Sequence, residues 1–129
     1  MERRVISSGS SLEERYGYSR AVVAGPHVSI AGTAPIMPDD ADPPATPYEQ
    51  MQRCLEIAEA ALAEAGASFA DVVRTRVFIT DSGYAPEVMR AHGEVFGSIR
   101  PAGTAVVTGL LDPRWFVEIE LDAVLGEHS

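Results

Sequence analysis

The chain has 129 residues, 46% of them apolar and 22% charged, which fits one folded domain over residues 1–129 around a single core. Nineteen acids against ten bases give a formal charge of −9, and the bases form no cluster longer than Arg3-Arg4. Nucleic acid, which demands a positive surface, is therefore not an expected partner, and one cysteine excludes both an internal disulfide and a cysteine-based zinc site.

The opening MERRVISSGSSLEERYGYSR has charge but no apolar stretch behind it, so it does not read as a secretory signal and a cytoplasmic location is expected. No apolar run reaches the roughly 18 to 20 residues that cross a bilayer, so no membrane partner is expected. A short strand is predicted near Val5. Ala21–Ala24 and His27–Ala31, joined by Gly25-Pro26, read as a hairpin. Residues 35–47, PIMPDDADPPATP, hold five prolines and three aspartates and predict a surface loop. Thr46, Pro47 and Glu49 form a capping box with proline at the first helical position. Met51, Cys54, Leu55, Ala58, Leu62 and Ala65 then repeat at three and four, giving a helix with one apolar face, closed at Gly66. Cys54 is thereby a core residue.

Val72–Thr80 alternates as a strand, with Val73, Thr75, Val77 and Ile79 on one face and Arg74, Arg76 and Phe78 on the other. A second helix is predicted over Ala85–Phe96, with Val88, Ala91 and Val95 inward and Gly97 at its end. The stretch RPAGTAVV reads as a turn leading into a strand over Ala105–Thr108. Phe116–Val124 is the cleanest strand, setting Val117, Ile119, Leu121 and Ala123 against Glu118, Glu120 and Asp122. Strands interleaved with two helices predict an α+β fold, a mixed β-sheet with two helices packed on one face. The other face is semi-polar. Phe78 and the small residues Ala31, Gly32 and Ala34 suggest that something packs there, and a closed oligomer is the economical cover. His27, His92 and His128 lack metal-ligand spacing, and no metal site is expected; His92 reads as helix packing.

The succession VSIAGTAP, ALAEAGAS, FADVVRTRVFITD, RPAGTAV and FVEIELDAV, in that order over nearly the whole chain, resembles the RidA/YjgF superfamily. The resemblance implies a chorismate-mutase-like fold of the bacillus type, assembled as a homotrimer, a trimeric barrel with three small-molecule clefts at the subunit interfaces. It implies hydrolysis of imines and enamines such as 2-aminoacrylate to a keto acid and ammonia, with no metal or organic cofactor. The family's signature turn resembles Pro-Ala-Arg-[Ser/Thr], whose arginine grips the substrate carboxylate. Pro101, Ala102 and Thr104 match it, and Gly103 stands at the arginine. The glutamate thought to position the attacking water falls on Glu118, and Tyr18 matches a tyrosine bordering the cleft.

A guanidinium holds a carboxylate by two parallel hydrogen bonds, and glycine offers only its backbone N–H, which counts against the ordinary amino-acid-derived imine. Gly103 reads either as part of a neutral anion nest or as a plain turn. Arg20 or Arg76 could replace the missing cation. Equally, Arg76 could pair with the acids of the last strand, and Arg20 could be solvated. Glu118 is the candidate catalytic residue, with Tyr18, Arg20, Gly32, Arg76, Gly103 and Thr104 as candidate substrate-binding residues. Two functions follow: a hydrolase with Glu118 guiding water, or a non-catalytic small-molecule binder or sensor using the same cleft. A ribonuclease role is disfavoured by the charge.

Overall fold

The computed structural model describes residues 1–126; His128 lies outside them. Six strands and three α-helices follow in the order β1 (Arg3–Ile6), α1 (Ser11–Tyr16), β2 (Ala21–Ala24), β3 (His27–Thr33), α2 (Pro47–Glu64), β4 (Val72–Ile79), α3 (Ala85–Phe96), β5 (Ala102–Val107) and β6 (Val117–Val124). The strands form one mixed sheet in the order β1-β2-β3-β6-β4-β5. All neighbours are antiparallel except β4 and β5, which run parallel because α3 carries the chain across between them. This is the expected α+β fold, with β1 at the place predicted near Val5.

The helix α2 forms for the reasons its sequence supplies. Thr46 Oγ1 accepts from the Glu49 N–H at 3.1 Å, Pro47 occupies the first turn, and Gly66 takes φ +82 just past the end. Its periodic face, Met51, Cys54, Leu55, Ala58, Leu62 and Ala65, is buried against the sheet. The same face carries a polar residue that the apolar period hides. Gln50, 1% exposed, donates to the carbonyls of Pro44 and Arg114 and accepts from the Phe116 N–H at 2.7 Å. It ties the proline-rich loop and the start of β6 to the helix. Arg114 adds a surface clasp, reaching Asp40, Asp42 and Asp112, whose carboxylates raise its pKa.

Four expectations need correction. Val73 does not face inward: it is 48% exposed and Val72 is 3% exposed. The β4–β6 register shifts between Val72 and Arg74, so the alternation slips by one at the strand's start. The strand β5 begins at Ala102, not Ala105, so Gly103 and Thr104 lie inside a strand, and of the stretch RPAGTAVV only Arg100 (φ +56) and Pro101 precede it. An anion nest needs consecutive N–H groups turned to one side, which a paired strand does not provide, and that reading of Gly103 is withdrawn. Lastly, α1 was not foreseen. Its six residues lie between an Ser10 cap, which accepts from the Leu12 N–H, and Gly17 at φ +78.

Candidate functional site

The alternation of β6 decides which side chains meet. Val117, Ile119, Leu121 and Ala123 are buried beneath the helices, so Glu118, Glu120 and Asp122 stand on the opposite, open face. Antiparallel pairing sets them beside Phe78, Arg76 and Arg74 of β4. Arg76 is engaged: its Nη1 lies 3.2 Å from both Glu120 Oε1 and Asp122 Oδ2. With Tyr18, these three residues border a hollow of about 400 Å³ on the open face. Tyr18 is brought there by the left-handed turn at Gly17 that ends α1.

Glu118 has a different neighbourhood. The strand β3 changes register between Ile30 and Thr33, and at that irregularity Gly32 lies under the Glu118 carboxylate. A Cβ on residue 32 would come within 2.5 Å of Glu118 Oε2, so the seat exists because the residue is glycine. Arg20 Nη2 donates to the Gly32 carbonyl at 2.6 Å, and its Nε is buried without an acceptor among the described residues. Burial pushes the Glu118 carboxyl above its ordinary pKa; the Arg20 charge opposes this and Glu120 adds to it. Burial likewise pulls the Arg20 guanidinium down, against the favourable charges of Glu13 and Glu118 among others. Three of the candidate residues, Arg20, Gly32 and Glu118, thus form one cluster.

Gly103 and Thr104 do not join that cluster. Thr104 pairs with Arg76 and shares the open face, whereas Gly103 pairs with Thr75, which is buried under the helices. Within one chain, Gly103 and Glu118 therefore project to opposite faces of the sheet. Beside Gly103 is a polar pair that sequence reasoning did not assemble. Thr75 Oγ1 lies 2.9 Å from His92 Nε2, and a Cβ on residue 103 would stand 3.3 Å from the same hydroxyl. Its signal was a threonine at an inward position of β4, since a buried hydroxyl needs a partner. His92 packs as expected, 4.8 Å from the Phe96 ring, and burial lowers its pKa. His27, at the start of β3, is exposed. Cys54 is buried and its thiol pKa is pushed far up by burial, as befits a core residue. Among the described residues no group of three or more His, Cys, Asp or Glu side chains could hold a metal ion, and no helix is long and apolar enough to cross a membrane.

A mixed sheet with both long helices on one face and a row of acids on the other defines an α+β domain of the chorismate-mutase-like kind. The family model described as Endoribonuclease L-PSP matches residues 8–125, and the chain belongs to this family, also known as YjgF/RidA. It is 41% identical over 124 residues to an uncharacterized protein of Streptomyces coelicolor, covering 95% of this chain and 92% of that one. A RutC family protein of Pyrococcus abyssi is 31% identical over 121 residues, covering 93% and 95% of the two chains. A crystal structure of a Mycobacterium tuberculosis member of the YjgF/YER057c/UK114 family superposes with a TM-score of 0.85 at 45% identity, covering 96% of this chain and all of that one. The fold persists at lower identity: yeast Mmf1, 22% identical, gives a TM-score of 0.85 over 97% of this chain.

Proposed function

We propose that this protein is a hydrolase of C=N bonds, acting on a small imine or enamine in a cleft between copies of the chain, with Glu118 positioning the water. The observation that carries this reading is the setting of Glu118, half-buried over Gly32 with its pKa raised by burial. A carboxylate in that state is a stronger base than one in water, and a base matched to its task accepts a proton more readily. In the reaction, water oxygen bonds to the C=N carbon while Glu118 takes the water proton. The proton passes to nitrogen, giving a carbinolamine; its hydroxyl proton is then moved to nitrogen by way of Glu118, the C–N bond breaks, and a carbonyl compound and ammonia leave, an enamine entering the same sequence after tautomerising to its imine.

The cleft needs a second copy, because Gly103 and Glu118 point to opposite faces of one sheet. A closed trimer would cover the semi-polar side of the sheet. Of the two arginines that could replace the missing cation, Arg76 is held by two acids, and Arg20, hydrogen-bonded to the Gly32 carbonyl beside Glu118, is the better candidate. The family description names an endoribonuclease; nineteen acids against ten bases weigh against RNA as the substrate here.

One observation favours a second reading, a non-catalytic binder or sensor. The exposed edge strand β5, AGTAVV, has no charged side chain, so a cleft walled by it lacks the carboxylate clamp. The test is ammonia release from 2-aminoacrylate and from a bulkier neutral imine. The account expects release above background that falls about a hundredfold or more in Glu118→Ala, from a protein that light scattering reads as three copies. No release from either compound leaves the binder reading, and a monomer contradicts the cleft.

A further inference from the structure

The helix layer carries a surface that the hydrolase reading does not use. The helices α2 and α3 pack side by side, and an apolar groove of about 390 Å³ runs between them. Its floor is Leu55 of α2, Ala91 and Val95 of α3, and Phe69 from the turn before β4. That floor is built in advance: Leu55 and Ala91 belong to the core, and the Phe69 ring stands edge-on to Phe96 at 5.3 Å. None of the candidate site residues lines the groove.

Every charged side chain on its rim is acidic and exposed: Glu56 and Glu59 on α2, Glu94 on α3. Glu94 accepts from the Tyr48 hydroxyl, whereas Glu59 has no hydrogen-bond or ion-pair partner among the described residues. The two arginines of these helices are engaged elsewhere. Arg90 stacks 4.0 Å over the Tyr48 ring; Arg53 donates to the Ile36 carbonyl and approaches Glu56 only to 3.9 Å.

The charge of the rim decides the class of occupant. A second copy of this chain, at −9, is repelled by it, as are nucleic acid and an anionic membrane, while a basic partner is attracted. The walls decide its form. Both are helices, whose backbone groups bond within themselves, so the groove offers no edge for an added strand. A third helix meets side chains that recur at its own spacing, Leu55 with Glu59 on one wall and Ala91 with Val95 on the other. From Gln52 to Glu59 the wall rises about 10 Å, or about two turns, room for one apolar anchor per turn.

We propose that the groove between α2 and α3 docks a basic amphipathic helix of another protein, its apolar stripe on Leu55, Phe69 and Val95 and its lysines or arginines against Glu56, Glu59 and Glu94. The contact is short and therefore transient, and it shares no residue with the hydrolase reading.

The test is a titration of the intact protein with a synthetic peptide of about 16 residues, long enough to form a helix alone, with leucines along one face and lysines beside them. Calorimetry and amide chemical shifts read the binding. One control peptide carries glutamate for lysine, and another has the same leucines scattered around the helix. Shifts are expected to centre on residues 52–59, 69 and 91–95, with affinity falling as salt rises. The exposed double change Glu56→Lys/Glu59→Lys is expected to weaken binding tenfold or more, with a near-unchanged melting temperature showing that the variant folds. No binding, equal binding of either control peptide, unchanged affinity in the double variant, or shifts centred on another face overturns the proposal. So does finding another occupant: phosphatidylglycerol vesicles bound at these residues, or self-association of the natural protein that the double variant abolishes. Binding is read without turnover, so failure here leaves the Glu118 reading standing, and absence of ammonia release leaves this one standing.

Discussion

Replacing Gly32 by alanine isolates the seat of Glu118 from the stability of the fold. The new Cβ would meet Oε2 at 2.5 Å, whereas ordinary contact begins near 3.4 Å, so the carboxylate must retreat by about 0.9 Å. The obstacle is the end of a flexible side chain rather than backbone, and Gly32 does not have a left-handed conformation, so the strand tolerates the methyl group. Glycine-to-alanine changes at compatible positions alter stability by about 0.4–1 kcal/mol, chiefly through the unfolded chain, which shifts Tm by a few degrees at most. A displacement of about 1 Å at a reacting group, by contrast, can lower turnover about a hundredfold. The assay is paired: thermal melting, and titration of the Glu118 carboxyl by carbon-detected NMR in the natural protein and the variant. Expected is a near-unchanged Tm with the Glu118 pKa falling toward its ordinary value as the side chain swings into water. Identical titration of Glu118 in both proteins would refute the claim that Gly32 seats it.

Other outcomes follow from the same geometry. Gly103→Arg requires the Thr75 hydroxyl to give by only a few tenths of an ångström; it is expected to lower KM for a carboxylate-bearing imine by roughly ten- to a hundredfold, the worth of a charge-assisted bond, and not for a neutral one. Gln50→Leu leaves the half-buried Phe116 N–H and the carbonyls of Pro44 and Arg114 without their partner, so urea unfolding should show a loss of about 1–3 kcal/mol. His92 has a folded pKa lowered by burial, so it favours the neutral ring; its contribution to stability is present above the unfolded pKa and is lost as pH falls through the folded one. Melting curves from pH 7 to 5 should therefore drop less steeply in His92→Gln than in the natural protein.

How far the sequence spoke depended on the range of the interactions involved. The core face of α2 was legible because Met51 to Ala65 repeat with the helical period and burial follows period. The inward and outward rows of β6 were legible for the same reason with a period of two. The identity of the inward residue at the start of β4 was not, because the register slip between Val72 and Arg74 is set by the partner strand. The length of β5 was missed likewise: its parallel pairing with β4 is non-local, and glycine at 103 reads locally as a turn. The helix α1 has fewer residues than an isolated helix needs to persist, so nothing periodic announced it. Among the candidate residues, Glu118 was singled out by resemblance alone, since pattern made it one of three equivalent acids. What distinguishes it, the contact with Gly32 and the nearby Arg20, arises from three separate chain segments meeting in space.

The central claim, that the raised carboxyl of Glu118 is the base in hydrolysis, is tested most directly by ammonia release measured against pH. A base must lose its proton to act, so activity should rise through a midpoint above the ordinary carboxylate value, coincident with the Glu118 titration seen by NMR. That rising limb should vanish in Glu118→Gln along with most of the activity. A limb that persists unchanged in Glu118→Gln, or no ammonia from the natural protein at any pH, would contradict the account.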